Sequence, residues 1–229
     1  MKLLSASVVD IPYSEMPKCQ AVKMLFERWH YDYRQVIDPL WYGWPSKITG
    51  AISLVRELQD TDYTHLLFVD GADVVPLAPQ EVVMERYLEI GHPWLFCAEQ
   101  NIWSPGSFEP RDYPTPDVVY RYLNSGIMLG EIEHMARWYD EWEPIPARLK
   151  TGDQDWYARK FIKHFPEAIA LDTGCKVFQT MCGSLVGDEP NCLMEPGQVY
   201  NRITNTLPVL IHFNGGDDIT TPERSFLWT

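Results

Sequence analysis

The chain has 229 residues, 45% of them hydrophobic, enough to fill one large or two small cores, so global disorder is excluded. Its 32 acidic residues outnumber 19 basic ones, for a formal net charge of −13. That excess argues against a broad nucleic-acid or anionic-membrane surface and leaves a local basic groove as the route to either. No apolar run approaches the ~18 to 20 residues of a membrane span. The five cysteines (Cys19, Cys97, Cys175, Cys182, Cys192) are an odd number and form no CxxC pair, which fits a reduced, cytoplasmic chain.

In chain order, Leu3 to Val9 reads as a first strand rather than a signal-peptide core, because one basic residue precedes a short apolar stretch. Ala21, Leu25 and Trp29 follow at helical spacing, and Gln35-Val36-Ile37 is extended. Pro45 and Ser46 open a helix whose buried stripe is Ile48, Ile52, Val55 and Leu58. Thr64 to Asp70 is apolar on both alternating faces, the pattern of a central strand covered by helices. Val82, Val83, Tyr87 and Ile90 form another helical face that Gly91 can end, and Trp94 to Ala98 returns as a buried strand. Residues 101–122 carry Pro105, Pro110, Pro114 and Pro116 and read as a long surface loop. Gly126 to Gly130 reads as a short strand, and 131–142 and 153–165 as helices. This alternation predicts an α/β fold around a mostly parallel sheet.

Three places concentrate polar chemistry. Phe68-Val69-Asp70-Gly71-Ala72-Asp73 sets two carboxylates where a hydrophobic strand ends, the position at which open α/β sheets gather ligands. A turn there can aim both at one Mg²⁺ or Mn²⁺ ion, and the same residues also fit a plain bend with Asp73 in solvent. Leu210-Ile211-His212-Phe213-Asn214-Gly215-Gly216 delivers an imidazole from a strand and then flexible glycines. Asp217 and Asp218 beyond it fit a solvated turn. Asp153-Gln154-Asp155 opens a helix, where carboxylates also serve as simple N-terminal caps.

The order of these segments extends over most of the chain. Lys47 heads the helix before the Asp70 strand. Phe96-Cys97-Ala98-Glu99 leads to Trp103, and Tyr122-Leu123-Asn124-Ser125-Gly126 follows. Asp153-Gln154 comes with Tyr157, Leu171-Asp172 leads into Val177-Phe178-Gln179-Thr180, and Leu207-Pro208-Val209 leads into His212-Phe213-Asn214-Gly215. Together they resemble the glycosyltransferase domain of procollagen lysyl hydroxylases, within the metal-dependent GT-A glycosyltransferases. The resemblance implies a GT-A, Rossmann-like fold forming a single catalytic domain over residues 1–229, without the hydroxylase domains and so without iron or 2-oxoglutarate.

It also implies a UDP-sugar donor carrying glucose or galactose, Mn²⁺ (or Mg²⁺) as metal, and transfer with retention of configuration. Asp70, Asp73 and His212 are the metal ligands so implied. Lys47, Ser7, Asp70, Asn214, Gly215 and Trp103 would contact the donor, and Asp153, Asn124 and Gln154 would serve the reaction. The acceptor implied is hydroxylysine or galactosyl-hydroxylysine. Another glycan, a hydroxymethylated DNA base, or a role as an inactive sugar-nucleotide or glycan-binding module remain as alternatives. Two departures stand out: Ala72 replaces the family's usual aromatic between the metal aspartates, and Gly152 stands where the family often has Asp.

Overall fold

Strand β1 (Leu3–Val9) is buried along its whole length and begins the central sheet in a computed structural model that describes residues 1–103, 107–115, 117–142, 144–145, 149, 152–185 and 190–215. A short helix α1 (Ile11–Ser14) and α2 (Pro17–Arg28) lead to β2 (Tyr33–Ile37), α3 (Trp44–Leu58) and β3 (His65–Val69). Then come β4 (Val74–Pro76), α4 (Gln80–Ile90), β5 (Trp94–Glu99), β6 (Tyr122–Glu131), α5 (Ile132–Glu141) and α6 (Asp153–His164). The short strands β7 (Ala170–Leu171), β8 (Phe178–Thr180), β9 (Cys192–Glu195), β10 (Gln198–Asn201) and β11 (Leu210–His212) complete the order.

Six strands form the main sheet in the order β2-β1-β3-β6-β5-β7. β1 runs parallel to β2 and β3, β5 runs parallel to β7, and β6 is antiparallel to both of its neighbours. The sheet is therefore mixed, with five strands in one direction and β6 reversed. Side chains alternate between its faces as the two-residue period of a strand requires. In β3, Leu66 and Phe68 join the core under α3, α5 and α6, whereas Leu67 and Val69 join the core under α2 and α4. This two-sided burial is why the strand reads as a continuous apolar run.

Two features of this architecture build the cleft. β6 is longer than the predicted Gly126 to Gly130 strand, and it is irregular: Phe96 pairs with Met128 but Cys97 pairs with Asn124. The residues between form a bulge that turns Asn124, Ser125 and Gly126 toward the end of β3. Asn124 thus lies within a strand and not in a turn before one. The second feature is a three-stranded sheet, β4-β11-β8, in which β11 is antiparallel to β4 and pairs His212 with Val74. Among the described residues no helix is long and apolar enough to cross a membrane. Pro105 and Pro116 of the predicted loop, and Gly216, Asp217 and Asp218, lie outside the described residues.

Candidate active site

A cleft of about 340 Å³ opens at the carboxyl ends of β1 and β3, lined among others by Val8, Val9, Asp10, Lys47 and the turn from Asp70 to Asp73. Asp70 follows β3 directly, and its backbone N–H donates to Gly126 O at 2.8 Å, tying the turn to β6. Gly71 is required by closeness, since a Cβ there would stand 2.7 Å from Val9 and 3.0 Å from the Ser7 hydroxyl. Asp73 precedes β4, and its carbonyl accepts from the Phe213 N–H at 2.8 Å. The β4–β11 pairing thereby carries His212 across from a distance of well over a hundred residues. Its imidazole rests directly on Gly126, where any Cβ would lie 2.0 Å from the ring.

His212 Nε2 stands 3.5 Å from Asp70 Oδ2 and 3.4 Å from Asp73 Oδ1. One ligand atom from each of the three residues falls within 4.8 Å of the others. Asp73 Oδ1 is buried and makes no well-formed hydrogen bond, its nearest polar neighbour being His212 Nε2, so the oxygen has capacity for a further electropositive partner. Two carboxylates and one imidazole suit Mn²⁺ well, and such a donor set accommodates Mg²⁺ less readily because of the nitrogen. The three residues therefore fit a divalent metal. Burial alone would push the His212 pKa down, but the Asp73 and Asp70 carboxylates outweigh it and raise the value to about 10. Burial likewise opposes ionisation of Asp70, yet Lys47 and His212 hold its carboxyl well below the usual range.

Lys47 is buried on the first turn of α3, and its ammonium lies 2.5 Å from Asp70 Oδ1 and 2.8 Å from Asp153 Oδ2. Burial lowers its pKa, but Asp153 and Asp70 more than compensate and place it above the ordinary lysine range. Asp153 is itself buried at the start of α6. The residue before it, Gly152, has φ +93° and ψ 173°, a backbone region essentially confined to glycine. An aspartate at 152 would be strained in this helix entry. Gly43 plays the same part at the start of α3, with φ 98° and ψ −154°.

A residue that the sequence reading left without a role occupies the centre of the polar network. Glu99 ends β5 fully buried, and burial pushes its carboxyl pKa up against the donors around it. Its Oε1 accepts from Trp103 Nε1 at 2.5 Å and Asn214 Nδ2 at 2.9 Å, and its Oε2 accepts from Asn124 Nδ2 at 2.9 Å. The Asn124 carbonyl accepts from Gly126 N–H at 2.9 Å and stands 2.9 Å from His212 Nδ1. The Asn214 carbonyl accepts from the N–H groups of Met181 and Cys182, both at 3.1 Å. The available signal was an acid ending an apolar strand, the same pattern that drew attention to Asp70.

Among the other predicted site residues, Gln154 is half-buried, with Oε1 3.5 Å from Ser125 N. Gly215 follows Asn214 at φ +96°, beside Cys182. Ser7 is not brought to the cleft surface: it is fully buried, with its hydroxyl 2.7 Å from the Tyr33 hydroxyl. Tyr13, Trp41 and Trp44 also line the cleft, and no motif in the sequence marks them as site residues. Tyr13 projects from α1, whose first turn is capped by Asp10 Oδ1 accepting the Tyr13 N–H at 2.7 Å. The Lys18 ammonium sits 4.7 Å from the centre of the Tyr13 ring.

Comparison with known proteins gives this geometry a family. Residues 42–221 match the sequence model of the PLOD GT domain. Procollagen-lysine,2-oxoglutarate 5-dioxygenase 1 of Bos taurus is 32% identical over 199 residues, covering 81% of this chain and 27% of that protein. An uncharacterized protein, R699, of Acanthamoeba polyphaga mimivirus is 30% identical over 179 residues, covering 76% of this chain and 36% of its own. The chain spans about a third or less of the length of these relatives. A glycosyltransferase involved in glycosylation of the major capsid of PBCV-1 superposes with a TM-score of 0.55 at 12% identity, covering 95% of both chains, which shows a shared GT-A fold.

Proposed function

The chain belongs to the PLOD GT-domain family, and from that membership we propose that it transfers a hexose from a UDP-sugar to a hydroxyl acceptor with the help of a divalent metal. The observation that carries the proposal is that Asp70, Asp73 and Lys47 line one cleft, with His212 packed against the two aspartates and Asp153 against Lys47. The cleft is lined by both charged and aromatic groups, and a nucleoside diphosphate sugar has matching parts. The diphosphate suits Lys47 and the metal ligands, and the flat uracil suits the rings of Tyr13, Trp41 and Trp44. Those aromatics supply the stacking surface that Ala72 does not.

Asp70, Asp73 and His212 would hold the metal, Mn²⁺ by preference. When bound, it supplies Lewis-acid stabilisation of the diphosphate leaving group. The ammonium of Lys47 contributes a positive charge beside that leaving group, exchanging part of its contact with Asp70 for a phosphate oxygen. Asp153, held against Lys47, presents a carboxylate to the positive charge that develops at the anomeric carbon. Gln154 binds sugar or acceptor hydroxyls, and Trp103 covers the donor with its exposed ring while its N–H anchors it to Glu99. Hydroxylysine, free or already galactosylated, is the acceptor proposed from the family, and transfer proceeds with retention.

The test is UDP release from UDP-glucose and UDP-galactose, with and without Mn²⁺, against hydroxylysine peptides and hydroxymethylated DNA. Metal-dependent release that disappears in Asp70→Ala and Asp73→Ala supports the enzyme. Donor binding without turnover on every acceptor makes the protein a binding module, and turnover on DNA alone replaces the proposed acceptor.

A further inference from the structure

We propose that Glu99 is a positioning residue: through Asn124 it fixes which nitrogen of His212 carries the proton, and so sets the affinity of the site for a divalent cation. The inference rests on the metal reading of Asp70, Asp73 and His212. Its chemistry begins with what each group can do. A carboxylate only accepts, so the Asn124 group facing Glu99 Oε2 must be the amide nitrogen. The Asn124 carbonyl is then turned the other way, toward two further atoms. One is the Gly126 N–H, which can only donate. The other is His212 Nδ1, which must carry a proton to complete the contact.

With the proton of a neutral imidazole committed to Nδ1, the lone pair lies on Nε2, the atom that faces Asp70 and Asp73. The orientation is fixed from behind as well. Trp103 and Asn214 both donate to Glu99 Oε1, and with Asn124 donating to Oε2 these three leave the carboxylate no acceptor to which it could give a proton. The Asn214 carbonyl is occupied by two backbone N–H groups, so that amide cannot turn over. Outer partners of this kind raise the basicity of a ligating imidazole and lock its ring. The chain of contacts joins β5, β6 and β11, so the ligand is set by three strands and not by a loop.

Exchanging one atom should reverse the whole relay. In Glu99→Gln the new carbonyl stays with Trp103 and Asn214, and the new amide nitrogen faces Asn124. Asn124 then turns its carbonyl toward that nitrogen and its own NH₂ toward His212, at the cost of leaving the Gly126 N–H without its acceptor. The imidazole must accept at Nδ1, its proton moves to Nε2, and the metal-facing lone pair is lost. The second exchange, Asn124→Asp, repairs this, because a carboxylate at 124 accepts from the new amide, from Gly126 and from His212 Nδ1 together.

The experiment titrates the whole protein with Mn²⁺ at fixed pH and follows free Mn²⁺ by electron paramagnetic resonance, with melting temperature recorded for each variant. Glu99→Gln is expected to weaken Mn²⁺ binding by about 10- to 100-fold. The double variant Glu99→Gln/Asn124→Asp is expected to return it to within about threefold, and Glu99→Gln placed on His212→Ala is expected to add less than about twofold. Wild-type binding that Glu99→Gln leaves unchanged, an equal loss on the His212→Ala background, or a folded double variant with no recovery overturns the relay. A wild-type protein that binds no Mn²⁺ at all overturns the metal reading beneath it.

Discussion

Asp70 and Asp172 are two acids at the ends of sheet strands, and the molecule treats them in opposite ways. Asp172, after β7, is buried and accepts from the backbone N–H groups of Lys176, Val177 and Phe178 at 3.0, 2.7 and 2.8 Å. Burial pushes its carboxyl pKa up in spite of them. Asp70 faces the cleft, and its partners are the charged side chains of Lys47 and His212, which hold its carboxyl low. Backbone donors are fixed by the fold and have no other partner to take, so Asp172 closes a turn. Side-chain charges can exchange an internal partner for a phosphate or a cation, so Asp70 belongs to a site that can change hands.

Breaking each acid in turn should separate the two roles. Asp70→Asn is expected to lower metal-dependent UDP release by about 10²- to 10³-fold, since it removes an anionic ligand of the metal whose positive charge would stabilise the leaving group. Asp172→Asn is expected to act on stability instead. The amide nitrogen of the new side chain cannot accept, which leaves a buried backbone N–H unpaired at a cost of about 1 to 3 kcal/mol. At this chain length that lowers the melting temperature by roughly 3 to 10 °C. Mn²⁺ affinity of the folded Asp172→Asn protein should match wild type; a tenfold loss there would erase the distinction. Gly126→Ala sharpens the same comparison from the other side, because its Cβ must displace the His212 ring. Mn²⁺ binding is expected to weaken about tenfold or more in calorimetric titration, with no gain in helix or strand content to offset it.

The same contrast explains how much could be read from the sequence. Asp70 and Asp73 were legible because an apolar strand and a glycine-containing turn surround them locally, and the alternation of strands and helices gave the α/β sheet. His212 could be named as a ligand, but its meeting with Gly126 depends on the pairing of β11 with β4. Glu99 carries a local mark, an acid ending an apolar strand, but its role does not follow from it, since its partners Asn124 and Asn214 stand 25 and 115 residues away. The bulge in β6 and the reversed direction of that strand arise from tertiary pairing, which periodicity does not record. Gly152 looked like a lost acid, and only its backbone angles show why an acid is disfavoured there.

A smaller effect distinguishes the exchangeable charges from the fixed ones by pH. The folded His212 pKa, raised to about 10, exceeds the ordinary histidine value of 6.5, so the folded state holds this proton more tightly than the unfolded chain does. Its contribution to stability is fully present below pH 6.5 and is lost as the pH rises toward 10. Asp70 has the opposite sign: its pKa is depressed, so its contribution is present above the ordinary carboxylate range and is lost only in strong acid. On the alkaline limb the buried thiols of Cys19, Cys97, Cys175 and Cys192, whose pKa burial raises, also cost stability, so it is the difference from His212→Gln that isolates the imidazole. Metal-free protein should show a melting temperature that declines between pH 6.5 and 10 more steeply than His212→Gln does, and Asp172→Asn should keep the wild-type slope. Mn²⁺ should act against that decline, because an imidazole must lose its Nε2 proton to become a ligand, and metal affinity consequently rises over the same interval. Parallel slopes for wild type and His212→Gln in chelator would show that the folded protein does not hold this imidazole proton more tightly than the unfolded chain does.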